Sequence, residues 1–393
     1  MHQQHYDLIV IGSGSGLDVA VAAANHRGWR VALLEKGPLG GTCLNRGCIP
    51  SKMIIHAADV ADTIRNAGRF GIHARIEQID FAAITNRANN HVDAESAAME
   101  QSFQGQDRIH LYKETAFFIS PKTLRVGDRE IRGERILIAA GARPFVPPIE
   151  GLAEVDFWTS TEALRQTSQP RSLIVIGGGY ISAELSHFYG ALGTEVTIVQ
   201  RSDRLLRHED RDISAEFTKV FADRYQVLLN HSVRWVEQKE DGTKVVTVED
   251  KKGKTRSLEA EALLVAAGLQ SNADLLRIDQ TGVETDERGW ITVNEYLETS
   301  EENVWALGDI IGKAQYKHAA NKEAQYVFWN MAGDHRHAMD FTVMPRAIFT
   351  SPQIAAVGLT EQEAEAKGHE YQVRRLDYLS TGMGLALRAE EAF

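Results

Sequence analysis

The chain has 393 residues, of which 43% are hydrophobic and 25% charged, with 43 Lys+Arg against 54 Asp+Glu. At roughly 150 residues per domain this length suits two to three domains with their own cores, and the composition excludes disordered, collagen-like and coiled-coil chains. The net charge of −11 disfavours nucleic acid or an anionic membrane surface as main partner, and two cysteines, Cys43 and Cys48, are too few for a secreted disulfide scaffold.

The first residues run directly into an apolar strand over 6–11, without a basic n-region, an apolar h-region or a small-residue cleavage site. Later apolar runs such as 262–269 reach eight residues, against about 18 for a membrane span. A cytoplasmic protein with no membrane partner is expected.

After that strand come Gly12-Ser13-Gly14-Ser15-Gly16, an Ala-rich helix through Ala24 and a second strand over 30–34. The same order recurs later: a strand over 173–176, Gly177-Gly178-Gly179, a helix through Tyr189 and a strand over 195–199. Each reads as a βαβ unit. Gly12 to Glu35 and Gly177 to Gln200 both span 23 residues, so two bound nucleotides are predicted.

A glycine-rich turn at a helix N-terminus lets backbone amides approach a pyrophosphate. Gly12 and Gly14 fit the first two positions of the fingerprint. Leu17 takes the third with Gly16 just before it, which predicts a slightly wider helix–strand spacing. In the second loop Gly177 and Gly179 fit, with Ser182 in third place. Glu35 stands where an acid can accept both ribose hydroxyls. The second unit has Gln200 there, followed by Arg201, Arg204 and Arg207. That is either a solvated basic loop or a site for a 2′-phosphate, which guanidinium groups bind well.

Each unit is followed by an apolar strand ending in Ala-Ala-Gly, over 136–141 and 263–268, closing on Gly141 and Gly268. The stretch 233–248 reads as two strands around Gly242, and the prolines within 143–148 mark a domain boundary.

Cys43 and Cys48 lie five positions apart in Gly40-Gly41-Thr42-Cys43-Leu44-Asn45-Arg46-Gly47-Cys48-Ile49-Pro50-Ser51-Lys52. A structural zinc site needs about four ligands and no second Cys/His pair follows, so no metal is expected. A structural disulfide suits neither a reducing cytosol nor so small a loop. The remaining reading is a redox-active dithiol. This segment closely resembles the active-site segment of the flavoprotein disulfide reductases, the family of dihydrolipoamide dehydrogenase and of glutathione, mycothione and mercuric reductases. The resemblance runs from Tyr6 to about Leu387 and includes Ala306-Leu307-Gly308-Asp309.

The resemblance implies an α/β fold with two Rossmann-like dinucleotide-binding domains, inserted β-meanders and a partial C-terminal α+β interface domain. The implied domains are FAD-binding over 1–145 and completed by a central segment over 275–340, NAD(P)-binding over 146–274, and a shortened interface domain over 341–393. It implies FAD and NADP or NAD as cofactors, and a small-molecule or protein-bound disulfide or dithiol as substrate. Cys43 would be the interchange thiol and Cys48 the thiolate against the flavin. Lys52 would lie near flavin N5 and pair with Glu184, Tyr180 would gate the flavin, and Asp309 would bind its ribityl chain.

Family members use a His-Pro…Glu base supplied across a homodimer interface. None of the 14 histidines here precedes proline. His318 and Glu323 have a comparable spacing, but five residues along a helix leave their side chains about 140° apart, so His318 is read as a flavin-contacting residue. The segment beginning Met344-Pro345-Arg346 is short for an interface domain, so a truncated chain is expected. Its full-length form would be a homodimer, and its own disulfide turnover would be impaired. The activity implied is most like that of dihydrolipoyl dehydrogenase. An NADPH-dependent mycothione- or glutathione-type reductase is the alternative, and a flavin-binding remnant or diaphorase the reading of another class.

Overall fold

The structure is a computed structural model that describes residues 4–333 and 335–389. Its contacts divide the chain into two units. The first takes residues up to Pro50, Arg87–Pro144 and Leu269–Met344. The second takes Ser51–Asn86, Phe145–Gly268 and the residues from Pro345 onward.

The first unit is built on a seven-stranded sheet. Its parallel half places Ile109–Tyr112, Val31–Leu34, Gln4–Ile11 and Arg129–Ile138 side by side, with Val304–Ala306 also pairing in parallel to Arg129–Ile138. The register sets Leu8 opposite Val31 and Val10 opposite Leu137. These strands read as unbroken apolar runs because both faces are covered, and Leu8, Ile9, Val10, Leu33 and Ile136 are all buried. Thr123–Val126 and Ala116–Ser120 extend the sheet as an antiparallel meander.

The helix Gly16–Arg27 follows the first strand and ends at Gly28 in a left-handed conformation. Contrary to the spacing predicted from Leu17, the helix lies close to the sheet. A methyl group on Gly16 would stand 2.7 Å from the Ala139 side chain and 3.0 Å from that of Val10. Gly16 therefore does the packing that the third glycine of such loops does elsewhere, one position early. Leu17 packs against the core from its edge.

In the second unit a four-stranded parallel sheet runs in the order Gln226–Leu229, Glu195–Gln200, Ser172–Ile176, Ala262–Val265. The helix Tyr180–Ala191 is capped by Gly179, and Ser182 Oγ donates to the Gly177 carbonyl (2.7 Å). The two strands predicted around Gly242 are His231–Gln238 and Lys244–Asp250, joined by Thr255–Ala260 in an antiparallel sheet. Past Pro345, Arg346–Ile348 and Ile354–Ala356 form a hairpin, followed by the short helices Glu361–Ala366 and Gly382–Leu387. No described helix is long and apolar enough to cross a membrane.

Candidate active site

In the first unit the first glycine loop leaves the strand Gln4–Ile11 at Gly12, whose φ of 103° is closed to other residues without strain. A methyl group on Gly14 would meet no atom outside its chain neighbours within 4 Å, so the backbone there lies open at the start of the helix Gly16–Arg27. An open glycine loop at a helix N-terminus fits a pyrophosphate. Glu35 follows the strand Val31–Leu34 and already accepts three hydrogen bonds. These come from the Ser13 amide (3.1 Å) and hydroxyl (2.7 Å), and from the Gly37 amide (2.8 Å). Its carboxylate thus ties the loop to the sheet and keeps acceptor capacity for one further donor.

Beside this loop lie the cysteines. Cys43 is in the short helix Gly41–Arg46, and Cys48 opens the helix Cys48–Asn66. Gly41 has φ 64°, and a methyl group on it would stand 2.6 Å from Gly14 Cα, so the dithiol segment rests backbone to backbone on the first loop. Buried Asn45 fixes the turn before Cys43 by donating to the carbonyls of Leu39 (2.8 Å) and Gly41 (3.0 Å). Both cysteines are free thiols, and the two are hydrogen-bonded to each other. That hydrogen bond, then burial, then the charge of Cys48 raise the Cys43 thiol well above the ordinary range, and Lys317 opposes them. A shared proton of this kind leaves one sulfur of the pair the readier thiolate.

Lys317 had not been singled out from the sequence. It donates to Ser15 Oγ (2.9 Å), which in turn donates to Asn321 Oδ1 (2.9 Å), so it anchors the glycine loop and adds positive charge toward Cys43. One signal was present: a lysine as the first residue of a helix opposes the helix dipole and calls for another reason to be there. On the same helix, Lys317–Ala332, His318 is exposed and stacks on Tyr316 (5.5 Å between ring centroids), whereas Glu323 is fully buried. The two side chains do point apart.

Asp309 sits in the turn Gly308–Ile311. Burial pushes its carboxyl up to about 6, while part of its surface remains open. Gly141 follows the strand Arg129–Ile138, and a methyl group on it too would meet nothing within 4 Å.

In the second unit, Lys52 Nζ donates to both oxygens of Glu184, at 2.9 and 2.8 Å. Glu184 is buried on the helix Tyr180–Ala191 and also accepts the Phe349 amide hydrogen (3.0 Å). The ammonium lies 4.5 Å from the centroid of the Phe349 ring. One helical turn beyond Glu184, buried His187 bonds Asp59 (2.8 Å), so the helices carrying Lys52 and Glu184 are pinned at two levels. Of these, His187 lies outside every motif read from the sequence.

The second glycine loop, with Gly177 after the strand Ser172–Ile176 and Gly179 capping the helix that begins at Tyr180, meets the strand end at Gln200. The Gln200 amide is turned inward, donating to Ser202 Oγ (2.8 Å) and accepting the Arg201 amide hydrogen (3.1 Å). The Arg201 and Arg207 side chains are exposed and have no side-chain partner among the described residues, whereas Arg204 is paired with Asp203 (3.3 Å). Gly268 has open space before it and accepts the Phe145 amide hydrogen (2.9 Å). Among the described residues no group of three His, Cys, Asp or Glu side chains is placed to hold a metal ion.

Two dinucleotide-type loops and a hydrogen-bonded dithiol define an oxidoreductase of the flavoprotein disulfide reductase class. Residues 6–325 match the family model described as pyridine nucleotide-disulphide oxidoreductase, and residues 344–393 match the dimerisation domain of the same family. The chain is 37% identical over 393 residues to mycothione reductase of Mycobacterium tuberculosis (strain ATCC 25618 / H37Rv), covering 97% of this chain and 84% of the relative. It is 32% identical over 405 residues to dihydrolipoyl dehydrogenase of Bacillus subtilis (strain 168), covering 99% and 84%. Among solved structures, the Cu(II) complex of the HOCl-induced flavoprotein disulfide reductase RclA from Escherichia coli superposes with a TM-score of 0.85 at 30% identity, covering 99% of this chain and 84% of that one. The chain belongs to the pyridine nucleotide-disulphide oxidoreductase family.

Proposed function

We propose that this protein is an FAD-dependent NAD(P)H:disulfide oxidoreductase working through Cys43 and Cys48. The observation that carries this reading is the hydrogen-bonded dithiol resting on an open dinucleotide loop. Gly12, Gly14, Gly16, Glu35, Gly141 and Asp309 would hold FAD, with His318 beside it. Gly177, Gly179, Tyr180 and Gly268 would receive the nicotinamide nucleotide. Bound FAD supplies a two-electron relay from NAD(P)H.

The cysteines do the rest. Cys43 Sγ attacks one sulfur of the substrate disulfide, whose S–S bond breaks, and the proton that Cys43 gives up passes to the leaving thiolate. Cys48 then attacks Cys43 Sγ, releasing the second substrate thiol and forming the Cys43–Cys48 disulfide, which two electrons and two protons return to the dithiol. Lys52, paired with Glu184, would be the cation that favours the reduced flavin.

For the nucleotide, exposed Arg201 and Arg207 favour NADPH, since guanidinium groups bind a 2′-phosphate and neutral Gln200 stands at the strand end where an acid would repel it. For the substrate, the likeness to mycothione reductase at 37% identity supports the disulfide of a low-molecular-weight thiol, and lipoamide is the second reading, supported by the likeness to dihydrolipoyl dehydrogenase. The match of 344–393 to the dimerisation domain supports a homodimer. Steady-state rates with mycothione, glutathione disulfide and lipoamide, each with NADPH and NADH, test all of this. NADPH oxidation without thiol production from any disulfide would leave only a diaphorase.

A further inference from the structure

Glu323 has no place in that chemistry, yet it is completely buried on the helix Lys317–Ala332. Its Oε2 accepts the amide hydrogen of Gly308, the residue that opens the Asp309 turn with φ 76°. Its Oε1 has no hydrogen-bond partner among the described residues. A fully buried carboxylate oxygen without a protein partner is far costlier ionised than protonated.

We propose that Glu323 is a positioning residue for the cofactor turn: Oε2 clamps the Gly308 amide while Oε1 keeps its proton, so that Asp309 is the ionised carboxylate offered to FAD. The inference rests on the reading of Asp309 as an FAD-binding residue. Burial pushes Glu323 up to about 7, and the charge of Asp309 adds to this, while the Gly308 amide and Lys313 oppose it. Asp309, raised to about 6, therefore loses its proton first. Between about pH 6 and 7 the two carboxyls together carry close to one charge. FAD bound at Asp309 would bury them further and hold the Glu323 proton more firmly, so FAD affinity should fall as pH rises past 7.

The test is FAD binding to the apoprotein, read by quenching of flavin fluorescence from pH 5.5 to 8.5, for wild type, Glu323→Gln, Glu323→Ala and Asp309→Asn. Glu323→Gln keeps an acceptor for Gly308 but cannot ionise. It should match wild-type affinity at pH 6 and abolish the fall above pH 7. Glu323→Ala strands the Gly308 amide and should weaken FAD about tenfold across the range. A wild-type pH profile in Glu323→Gln, or undiminished affinity in Glu323→Ala while Asp309→Asn loses it, overturns the proposal. If instead Asp309→Asn binds FAD as wild type while Glu323→Ala does not, the reading of Asp309 fails and the clamp on the turn stands. Should Glu323→Ala fail to fold, the Glu323→Gln profile decides alone.

Discussion

Replacing Lys52 with Met removes the ammonium but keeps the apolar stem. The buried Glu184 carboxylate, its side chain 8% exposed, would be left with the Phe349 amide as its remaining hydrogen-bond partner among the described residues. Breaking a fully buried pair costs about 3–5 kcal/mol, while an exposed pair is worth about 0.2–1. Lys52 is 37% exposed on its side chain, which lets water reach the ammonium, so the expected loss lies between, at about 2 kcal/mol. Glu184→Gln should cost less, about 1 kcal/mol, because the new amide oxygen still accepts from Phe349 and Lys52 can turn to solvent. The double variant should then recover about 1 kcal/mol of coupling. Thermal unfolding of the four proteins at pH 7, at low and high salt, reads this cycle. Effects that add within about 0.3 kcal/mol would refute the reasoning, since they would mean the two charges do not sense each other.

Replacing Cys48 with Ala removes the largest force raising the Cys43 thiol, so the pH midpoint of Cys43 alkylation by iodoacetamide should move down; an unchanged midpoint counts against the shared proton. In the FAD-loaded protein, Cys48→Ser should keep the flavin but lose the long-wavelength thiolate–flavin band on anaerobic NADPH titration, and a surviving band would reverse the assignment of the two sulfurs. Arg201→Ala and Arg207→Ala should each raise KM for NADPH about tenfold and leave KM for NADH in place; equal effects on both would mark a merely solvated loop. Because Glu323 is raised from its unfolded value to about 7, the folded apoprotein holds an extra proton between roughly pH 4.5 and 7, and stability falls as pH rises through that window. Glu323→Gln should lack this fall and gain stability over wild type by pH 8, on the order of 3 kcal/mol at most; melting temperatures that stay parallel across pH contradict it.

The two βαβ units were legible because everything that makes them is local: an apolar run, a glycine turn, a helix and a second apolar run within about 30 residues. Observed helix and strand ends fall within a few residues of the predicted ones, as with Gly16–Arg27 and Glu195–Gln200. The cysteine pair was legible for the same reason. Which glycine packs against the sheet was not, because the contact of Gly16 with Ala139 joins residues more than a hundred positions apart.

The residues missed altogether form pairs of the same long-range kind. Lys317 reaches Ser15 across 302 positions, and His187 reaches Asp59 across 128, each looking by itself like an ordinary helix residue. Glu323 was noticed only as a neighbour of His318, and spacing alone could say that the two diverge but not that one of them is sealed from water.

By itself, then, the sequence determined the chemistry's raw material: two nucleotide loops and a dithiol, both written in short contiguous stretches. The tertiary structure decided which ionisable groups around that material are paired, exposed or buried, because burial depends on what the rest of the chain folds over them. That difference leaves Arg201 and Arg207 open to solvent, Glu184 matched to Lys52, and Glu323 buried against the Gly308 amide.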